Sequence, residues 1–253
     1  MKKAGNKSLS SANFYDDVSE FYEKMIDFEK NLQLRVKAYK NIFERVGPAA
    51  DLGCGIGLDS IALAMNGHDV TAFDISPKMI IKTQKNAAKF GLTIKTEVSQ
   101  LESIPASYMN NFQNIVCVGN TIAHFNDLQL KKTLKIIHGL LKPTGKLFLH
   151  ILNYELIKKS NKRINNIANR DGMAIIRFYD FFERHLNFNI LSFEVEEPKN
   201  FRLVTTRHYP HRKKDINLFL KSVGFNKIKF YKNFYGENFD SRDSKDMFIT
   251  ATK

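Results

Sequence analysis

Hydrophobic residues recur at two different spacings along this chain, and the change from one spacing to the other predicts its fold class. Over residues 14–26 and 32–46, apolar side chains return every three or four positions, which is typical of amphipathic helices. From residue 47 onward, short apolar runs alternate with further helical patterns. This alternation favours an α/β fold in which helices cover a mostly parallel sheet.

The pattern changes again in the C-terminal part of the chain. Residues 153–170 are polar and are predicted to be helical, whereas 173–179, 185–194 and 201–209 alternate as strands do. We therefore predict an N-terminal tail and helical cap, a ligand-binding core, an antiparallel insert on the substrate side and a completion of the core sheet. The bounds of these four parts are 1–46, 47–152, 153–209 and 210–253.

A glycine-rich loop joins the first predicted strand to the helix that follows it. The loop reads Asp51-Leu52-Gly53-Cys54-Gly55-Ile56-Gly57, and the second strand ends on Asp74. Gly53 permits a sharp turn, Gly55 lets a ligand approach the backbone, and Gly57 lets the helix begin close to the sheet. The helix N-terminus favours a negatively charged group. An acid at the end of the second strand can accept hydrogen bonds from the hydroxyls of a ribose.

Three glycines alone are a weak signal, because such turns also occur where nothing binds. Here they lie between a strand and a helix and are followed by a strand that ends on an acid, which favours a ligand. Their spacing differs from the G-x-G-x-x-G fingerprint of dinucleotide-binding proteins and resembles the S-adenosylmethionine signature of the class I methyltransferases. The resemblance implies a Rossmann-like α/β fold with a seven-stranded, mostly parallel sheet whose last strand is antiparallel. It also implies S-adenosyl-L-methionine as the cofactor.

The resemblance further implies which residues contact the cofactor. They come from the helical cap, the glycine loop and the segments after the second, third and fourth strands: Tyr22, Arg35, Asp51, Gly53, Cys54, Gly55, Gly57, Asp74, Ile75, Met79, Gln100, Leu101, Val118, Gly119 and His124. Arg35 would meet the carboxylate of the cofactor, and a solvated helix residue is the alternative. Where the family usually places an acid against the adenine, this chain has Ser99 or Gln100.

A second informative loop follows the fourth predicted strand and reads Gly119-Asn120-Thr121-Ile122-Ala123-His124-Phe125. Ligands of open α/β sheets bind at this edge. The loop is similar to the Gly-Asn-Ser-x-Ala-His loop of glycine and sarcosine N-methyltransferases, which implies catalytic roles for Asn120, facing the substrate, and His124, contacting the cofactor. Leu152 departs from that family, which has a carboxylate-binding arginine at the matching position. A leucine cannot pair with a carboxylate, so glycine itself is not expected to be the acceptor.

Residues of the cap and the insert are predicted to face the substrate. The tyrosine of the Tyr15-Asp16 dipeptide matches one near the start of many small-molecule methyltransferases. The complete set predicted to bind the substrate is Tyr15, Asn120, Tyr154, Arg177 and Tyr209. For each of these residues, a packing or turn role is the alternative.

Composition limits the possible partners. The chain has 253 residues, 43% of them hydrophobic, and a formal net charge of +13. Such a charge suits nucleic acid, but the lysines are scattered and not interleaved with aromatic residues, so we favour solvated surfaces. No apolar run is long enough for a membrane span, and no His, Cys or Asp cluster has the spacing of metal ligands. Cys54 and Cys117 are expected to be reduced, which favours a cytoplasmic protein. The pattern does not specify an oligomeric state.

These features together predict a methyltransferase that acts on a small molecule, more readily on nitrogen than on oxygen. An RNA or protein methyltransferase, suggested by the positive charge, is one alternative. A non-catalytic cofactor-binding protein on the same fold is the other.

Overall fold

Two sheets organise the protein in the computed structural model, which describes residues 13–19 and 27–253. The strands in chain order are β1 (Pro48–Leu52), β2 (Asp69–Asp74), β3 (Lys95–Val98), β4 (Phe112–Cys117), β5 (Leu141–Leu152), β6 (Ile164–Arg170), β7 (Met173–Phe181), β8 (Leu186–Glu194), β9 (Phe201–His208), β10 (Asn226–Tyr231) and β11 (Asp246–Thr252). The larger sheet has the order β10-β11-β5-β4-β1-β2-β3, and the smaller has the order β6-β7-β8-β9. Within the larger sheet, β11 is antiparallel to both of its neighbours and the other pairs are parallel.

Helices cover both faces of the larger sheet. They are α1 (Phe28–Ile42), α2 (Leu58–Met65), α3 (Pro77–Lys89), α4 (Asp127–Leu140), α5 (Tyr154–Ser160) and α6 (Lys213–Ser222). One hydrophobic cluster joins α1, α2 and α3 to the sheet, and the other joins α4 and α6 to it. Local signals set the helix starts: Ser76 caps α3 ahead of Pro77, and Asn126 with Gln129 forms a capping box for α4. The predicted fold class is confirmed.

A helical segment at 13–19 packs on one face of the smaller sheet. Phe14 and Val18 form a buried cluster with three strand residues, Ile175, Ile190 and Val204. Because side chains alternate along a strand, the residues two positions before and after Ile175 and Ile190 point to the same face. The smaller sheet therefore presents its apolar face toward the helical segment.

The smaller sheet has four strands, whereas the sequence pattern predicted three. Residues 153–170 were expected to be helical, but the helix ends at Ser160 and β6 follows it. The cause is the turn at Asp171-Gly172, where both residues have positive φ, of 50° and 76°. Such an Asp-Gly pair closes a two-residue hairpin, so β6 pairs with β7 although it lies at the sheet edge and lacks hydrophobic alternation.

The helical cap also differs in its bounds from the prediction. The predicted helix at 32–46 begins four residues earlier, because Asp27 accepts the Lys30 N–H at 3.2 Å and caps it. It ends at Ile42, because the backbone of Phe43 is extended. The predicted helix at 14–26 is described only over 13–19, and the rest of it lies outside the described residues. Among the helices that the structure describes, none is long and apolar enough to cross a membrane.

The packing around Gly57 predicts a large loss of stability when a methyl group is added there. Gly57 has φ of 87°, and a Cβ would lie 2.8 Å from Thr83 Cγ2 and 3.1 Å from Thr83 Cα. Gly91 has a similar φ of 66° with no atom within 4 Å of the added Cβ. Both alanine variants incur left-handed strain of about 1–2 kcal/mol, and Gly57→Ala adds roughly 1–3 kcal/mol for the collision. Urea unfolding of Gly57→Ala and Gly91→Ala measures the difference, and equal losses would show that Thr83 moves aside freely.

Candidate active site

A cavity of about 330 Å³ lies at the carboxyl ends of the parallel strands β1, β2, β3 and β4. This is the edge at which open α/β sheets bind ligands. Its wall is built from the loop after β1, the end of β2, residues 99–102 after β3 and the segment after β4. Tyr15 and the first half of α1 complete it.

The glycine loop is folded back onto the end of β2 by its own backbone. Gly53 N and Cys54 N both donate to Phe73 O, at 2.8 and 3.0 Å. Gly55 N donates to Asp74 Oδ2 at 2.8 Å, and a Cβ on Gly55 would meet no atom within 4 Å. Gly55 therefore leaves space open toward the cavity. Gly57 instead faces Thr83 on α3, so its small size serves contact between two helices and not, as expected, between helix and sheet.

Asp74 lines the cavity and is held by two backbone donors. Besides Gly55 N, Ser76 N donates to Asp74 Oδ1 at 2.9 Å. Burial raises the pKa of the Asp74 carboxyl to about 6, and the hydrogen bonds from Ser76 and Gly55 oppose that shift. The Ser76 hydroxyl in turn donates to the carboxylate of Asp16, which attaches the helical segment 13–19 to this loop.

Arg35 lies in the cavity wall and is oriented by a neighbouring acid. Its Nε is 2.7 Å from Asp59 Oδ1, and the buried hydroxyl of Tyr39 donates to the same carboxylate. The other side of the guanidinium lies over the ring of Phe234, with 4.8 Å from Cζ to the ring centroid. Burial, followed by the negative charge of Asp59, raises the pKa of Tyr39 well above its usual value, so the phenol stays protonated and keeps its donor.

His124 connects the cavity to the smaller sheet. Its Nε2 lies 2.8 Å from the Tyr15 hydroxyl, and its Nδ1 lies 3.3 Å from Thr206 Oγ1 on β9. The His208 ring packs edge-on to it, with centroids 4.8 Å apart. Burial lowers the pKa of His124 to about 4. Burial, followed by the nearby His124, lowers the pKa of His208 well below its usual value. Both imidazoles are therefore neutral at physiological pH.

Asn120 lies beside the cavity and bridges the ends of two strands. The residue is left-handed, with φ of 72°. Its Oδ1 accepts from Leu152 N at 3.0 Å, and its Nδ2 donates to the Tyr154 hydroxyl at 2.8 Å. The Tyr154 hydroxyl also lies 3.0 Å from His208 Nδ1. Both ends of the Asn120 amide are thus engaged within the protein.

The structure brings most of the predicted cofactor residues together. The predicted residues found in the cavity wall are Tyr15, Arg35, Gly53, Cys54, Gly55, Asp74, Ile75, Gln100, Leu101, Val118, Gly119 and His124. Within the described part of the chain, the predicted residues outside this wall are Asp51, Gly57, Met79, Asn120, Tyr154, Arg177 and Tyr209. Tyr22 lies outside the described residues.

The predicted residues outside the cavity wall pack or form hydrogen bonds elsewhere in the protein. Asp51 is buried and accepts the Ser60 hydroxyl at 2.6 Å, while Met79 is fully buried in α3. Tyr209 N donates to Ala123 O at 2.7 Å, which joins the smaller sheet to the segment after β4. Arg177 is half-buried between Ile175 and Tyr179 on the face of β7 that meets the helical segment 13–19.

Some wall residues were not among the sequence predictions. They are Asn31, Ile56, Leu58, Asp59, Glu102, Thr121, Phe125 and Gln129, whereas Ser99, the alternative to Gln100 at the adenine, also lies in the wall. Glu102 matters most, because an acid was thought to be missing from this segment. A 3₁₀ turn over Leu101–Ser103 brings Glu102 to the wall beside Gln100. The acid was present in the sequence, but it lies two residues after Gln100, the position at which it was expected.

Comparison with known proteins agrees with this geometry. A family model described as a methyltransferase domain matches residues 49–145. The chain is 26% identical over 204 residues to a glycine/sarcosine N-methyltransferase of Aphanothece halophytica, covering 80% of this chain and 74% of that protein. It is 23% identical over 239 residues to a glycine/sarcosine N-methyltransferase of Halorhodospira halochloris, covering 93% and 87%.

A solved structure shares the fold over nearly the whole chain. A methyltransferase from Streptomyces caelestis superposes with a TM-score of 0.83 at 14% identity, covering 96% of this chain and 98% of that one. The sheet order with its antiparallel β11, the glycine loop pinned to Asp74 and the sequence relatives lead to one conclusion: the chain is a class I S-adenosylmethionine-dependent methyltransferase.

Proposed function

We propose that the protein methylates the nitrogen of a small amine. The observation that carries this proposal is the uncharged Tyr15–His124 pair in the cavity wall. His124 lies at the end of the segment that resembles the N-methyltransferase loop. The two sequence relatives described above are glycine/sarcosine N-methyltransferases, which supports a small amine as the acceptor.

The cavity residues fit S-adenosylmethionine. Asp74 offers carboxylate lone pairs for the ribose hydroxyls, and the open space at Gly55 admits a ligand against the backbone. Gln100 and Glu102 provide acceptors at the adenine side, and Arg35 provides a cation in the cavity wall. When bound, the cofactor supplies a methyl group already activated by a sulfonium.

The protein's own task is therefore to align the acceptor and exclude water. Alignment of reacting groups is worth several kcal/mol, up to roughly 7–11 in the best intramolecular cases. Tyr15 and His124 share one hydrogen bond without a positive charge, so they add no repulsion toward a cationic sulfonium. The positive charge of Arg35 is balanced by Asp59. An amine must present its lone pair, so it binds unprotonated or loses its proton before transfer.

Residues beyond the wall keep the Tyr15–His124 pair in place. Thr206 contacts the far side of the His124 ring, and Asn120 holds Tyr154 against His208. We propose that Asn120, Tyr154 and Tyr209 position the wall, and that Arg177 lies near the acceptor on the smaller sheet. Asp51 acts through Ser60, which lies in the first turn of α2.

A methyl-transfer assay with the full chain tests the proposed function. We expect S-adenosylmethionine-dependent methylation of small amines and none of RNA. Gly55→Val places a side chain in the open space and should abolish both cofactor binding and turnover. Gly91→Val is the matched control, because Gly91 has a similar positive φ but lies outside the cavity wall. Normal cofactor affinity in Gly55→Val, or methylation of RNA in preference to amines, would contradict the proposal.

The raised pKa of Asp74 predicts that cofactor binding weakens in acid. A carboxylate accepts ribose hydroxyls better when ionised, so binding should lower the pKa of Asp74 from about 6 and release a proton. Affinity should then be constant above this pKa and fall below it, approaching about tenfold per pH unit. Calorimetry between about pH 7.5 and pH 5 measures the trend. Asp74→Asn should bind weakly without this slope, and the same slope in that variant would assign it to another group.

Leu152 predicts that glycine is a poor acceptor. Its side chain is half-buried against the apolar cluster of the sheet and offers no partner to a carboxylate. Leu152→Arg should raise the turnover of glycine relative to that of amines without a carboxylate. Leu152→Gln is the control, because it changes packing without adding a charge. Efficient methylation of glycine by the unaltered protein would refute this reasoning.

A further inference from the structure

A second cavity, of about 510 Å³, lies between α1 and the outer strands β10 and β11. We call it the basic groove and define it by Lys37, Lys146, Lys227, Lys229, Tyr231 and Tyr235. None of the described residues in its wall lines the cofactor cavity. Its volume is in the range of roughly 300–1,000 Å³ that is usual for small-molecule sites.

Positive charge dominates the basic groove. Four lysines face one carboxylate, that of Glu44, which is held by Lys146 at 3.1 Å between Nζ and Oε1. Lys37, Lys227 and Lys229 form no ion pair with any residue in the described part of the chain. Ammonium groups gathered around one cavity repel each other, and an anion between them would reverse that repulsion.

The backbone in one wall of the basic groove is unusual. Lys227 is left-handed, with φ of 48°, and the pairing of β10 with β11 shifts register between Asn226 and Lys229. Left-handed conformations are uncommon for residues other than glycine, asparagine and aspartate. The irregularity nevertheless keeps both Lys227 and Lys229 in the wall of the groove, on one strand.

Aromatic side chains lie beside the lysines. Tyr235 is 71% exposed, and Tyr231 and Phe234 are half-buried in the same wall. The turn that carries Tyr235 is ordered, because its N–H donates to Asn233 Oδ1 at 3.0 Å and Lys232 Nζ lies 2.9 Å from Glu237 Oε2. Exposed aromatic faces on an ordered turn are suited to stacking with a planar base.

We propose that the basic groove binds a nucleoside polyphosphate. The lysines supply the compact cations that bind phosphate, and the tyrosines supply the surface for the base. Both features occur together in one cavity of suitable volume. The bound molecule would be distinct from the methyl donor, because the two cavities share no described residue.

Isothermal titration of the full chain, saturated with S-adenosylhomocysteine, tests the proposal with guanosine diphosphate as the probe. Saturation keeps the probe out of the cofactor cavity. We expect saturable binding of one molecule that weakens as salt is raised, because exposed charges are screened. Guanosine has the base without the phosphates, and pyrophosphate has the phosphates without the base. Each should bind at least about tenfold more weakly than guanosine diphosphate.

Two double variants with equal charge change make the test specific. Lys227→Gln with Lys229→Gln should weaken binding by about tenfold or more, since it removes charge-assisted contacts. Lys131→Gln with Lys132→Gln removes two exposed lysines from α4 and should leave binding within about twofold, since distant exposed charges are screened. Tyr235→Ala should reduce the preference for guanosine diphosphate over pyrophosphate.

Four outcomes would overturn the proposal. Absence of saturable binding would refute the site, and aggregation of the Lys227/Lys229 variant would then show that the lysines protect the edge strand β10 from pairing. Equal losses in both double variants would show a non-specific charge effect. Equal affinity for pyrophosphate and guanosine diphosphate would show that the base makes no favourable contact in the groove. Much tighter binding of a short RNA, dependent on the same lysines, would make the groove a nucleic-acid surface.

Discussion

The hydrogen bond from Gly55 N to Asp74 Oδ2 is the contact on which the site depends. It joins the loop after β1 to the end of β2, so the shape of the glycine loop and the position of the carboxylate are fixed together. The two further bonds onto Phe73 O hold the start of the loop against the end of β2. Because the loop contributes only backbone N–H groups to these three contacts, side-chain changes in the loop alter the space available to the cofactor more than they alter the loop's attachment.

The helical segment 13–19 contacts three separate parts of the molecule around the cavity. Asp16 accepts the Ser76 hydroxyl next to Asp74, Tyr15 meets His124 after β4, and Asp17 pairs with Arg202 on β9. The buried rings and aliphatic groups of the segment meanwhile pack on the smaller sheet. A segment with seven described residues thus connects both sheets across the active site, and the neutral His124 depends on the burial that this contact provides.

The sequence predicted the parts of the fold that local chemistry dictates. The glycine loop, the acid at the end of β2 and the last strand, Asp246–Thr252, could all be located from spacing and pattern. The strand β6 could not be recognised by alternation, because its isoleucines, Ile164 and Ile167, are three positions apart; its Asp-Gly turn was the usable signal.

The orientation of polar side chains in the site was harder to predict. Asn120 was expected to face the acceptor, but its amide is engaged by Leu152 N and Tyr154, partners that only the tertiary fold brings near. Arg35 was expected to meet the carboxylate of the cofactor and lies in the cavity wall, and its ion pair with Asp59 and its contact with Phe234 join three distant parts of the chain. Spacing in a sequence identifies which groups reach an edge of a sheet, while their hydrogen-bond partners follow from the packing.

The position of β11 has a consequence for how the chain folds. This strand lies between β5 and β10 in the larger sheet. Its residue Asp246 pairs with Leu152, although the smaller sheet and α6 lie between these two residues in the sequence. Until it arrives, β5 is an open edge with unpaired backbone groups, whereas the hairpins of the smaller sheet can form from neighbouring residues. Long-range pairing of this kind is slow compared with hairpin closure. We therefore expect the smaller sheet to be ordered during folding before the larger sheet on which the cofactor cavity is built is complete.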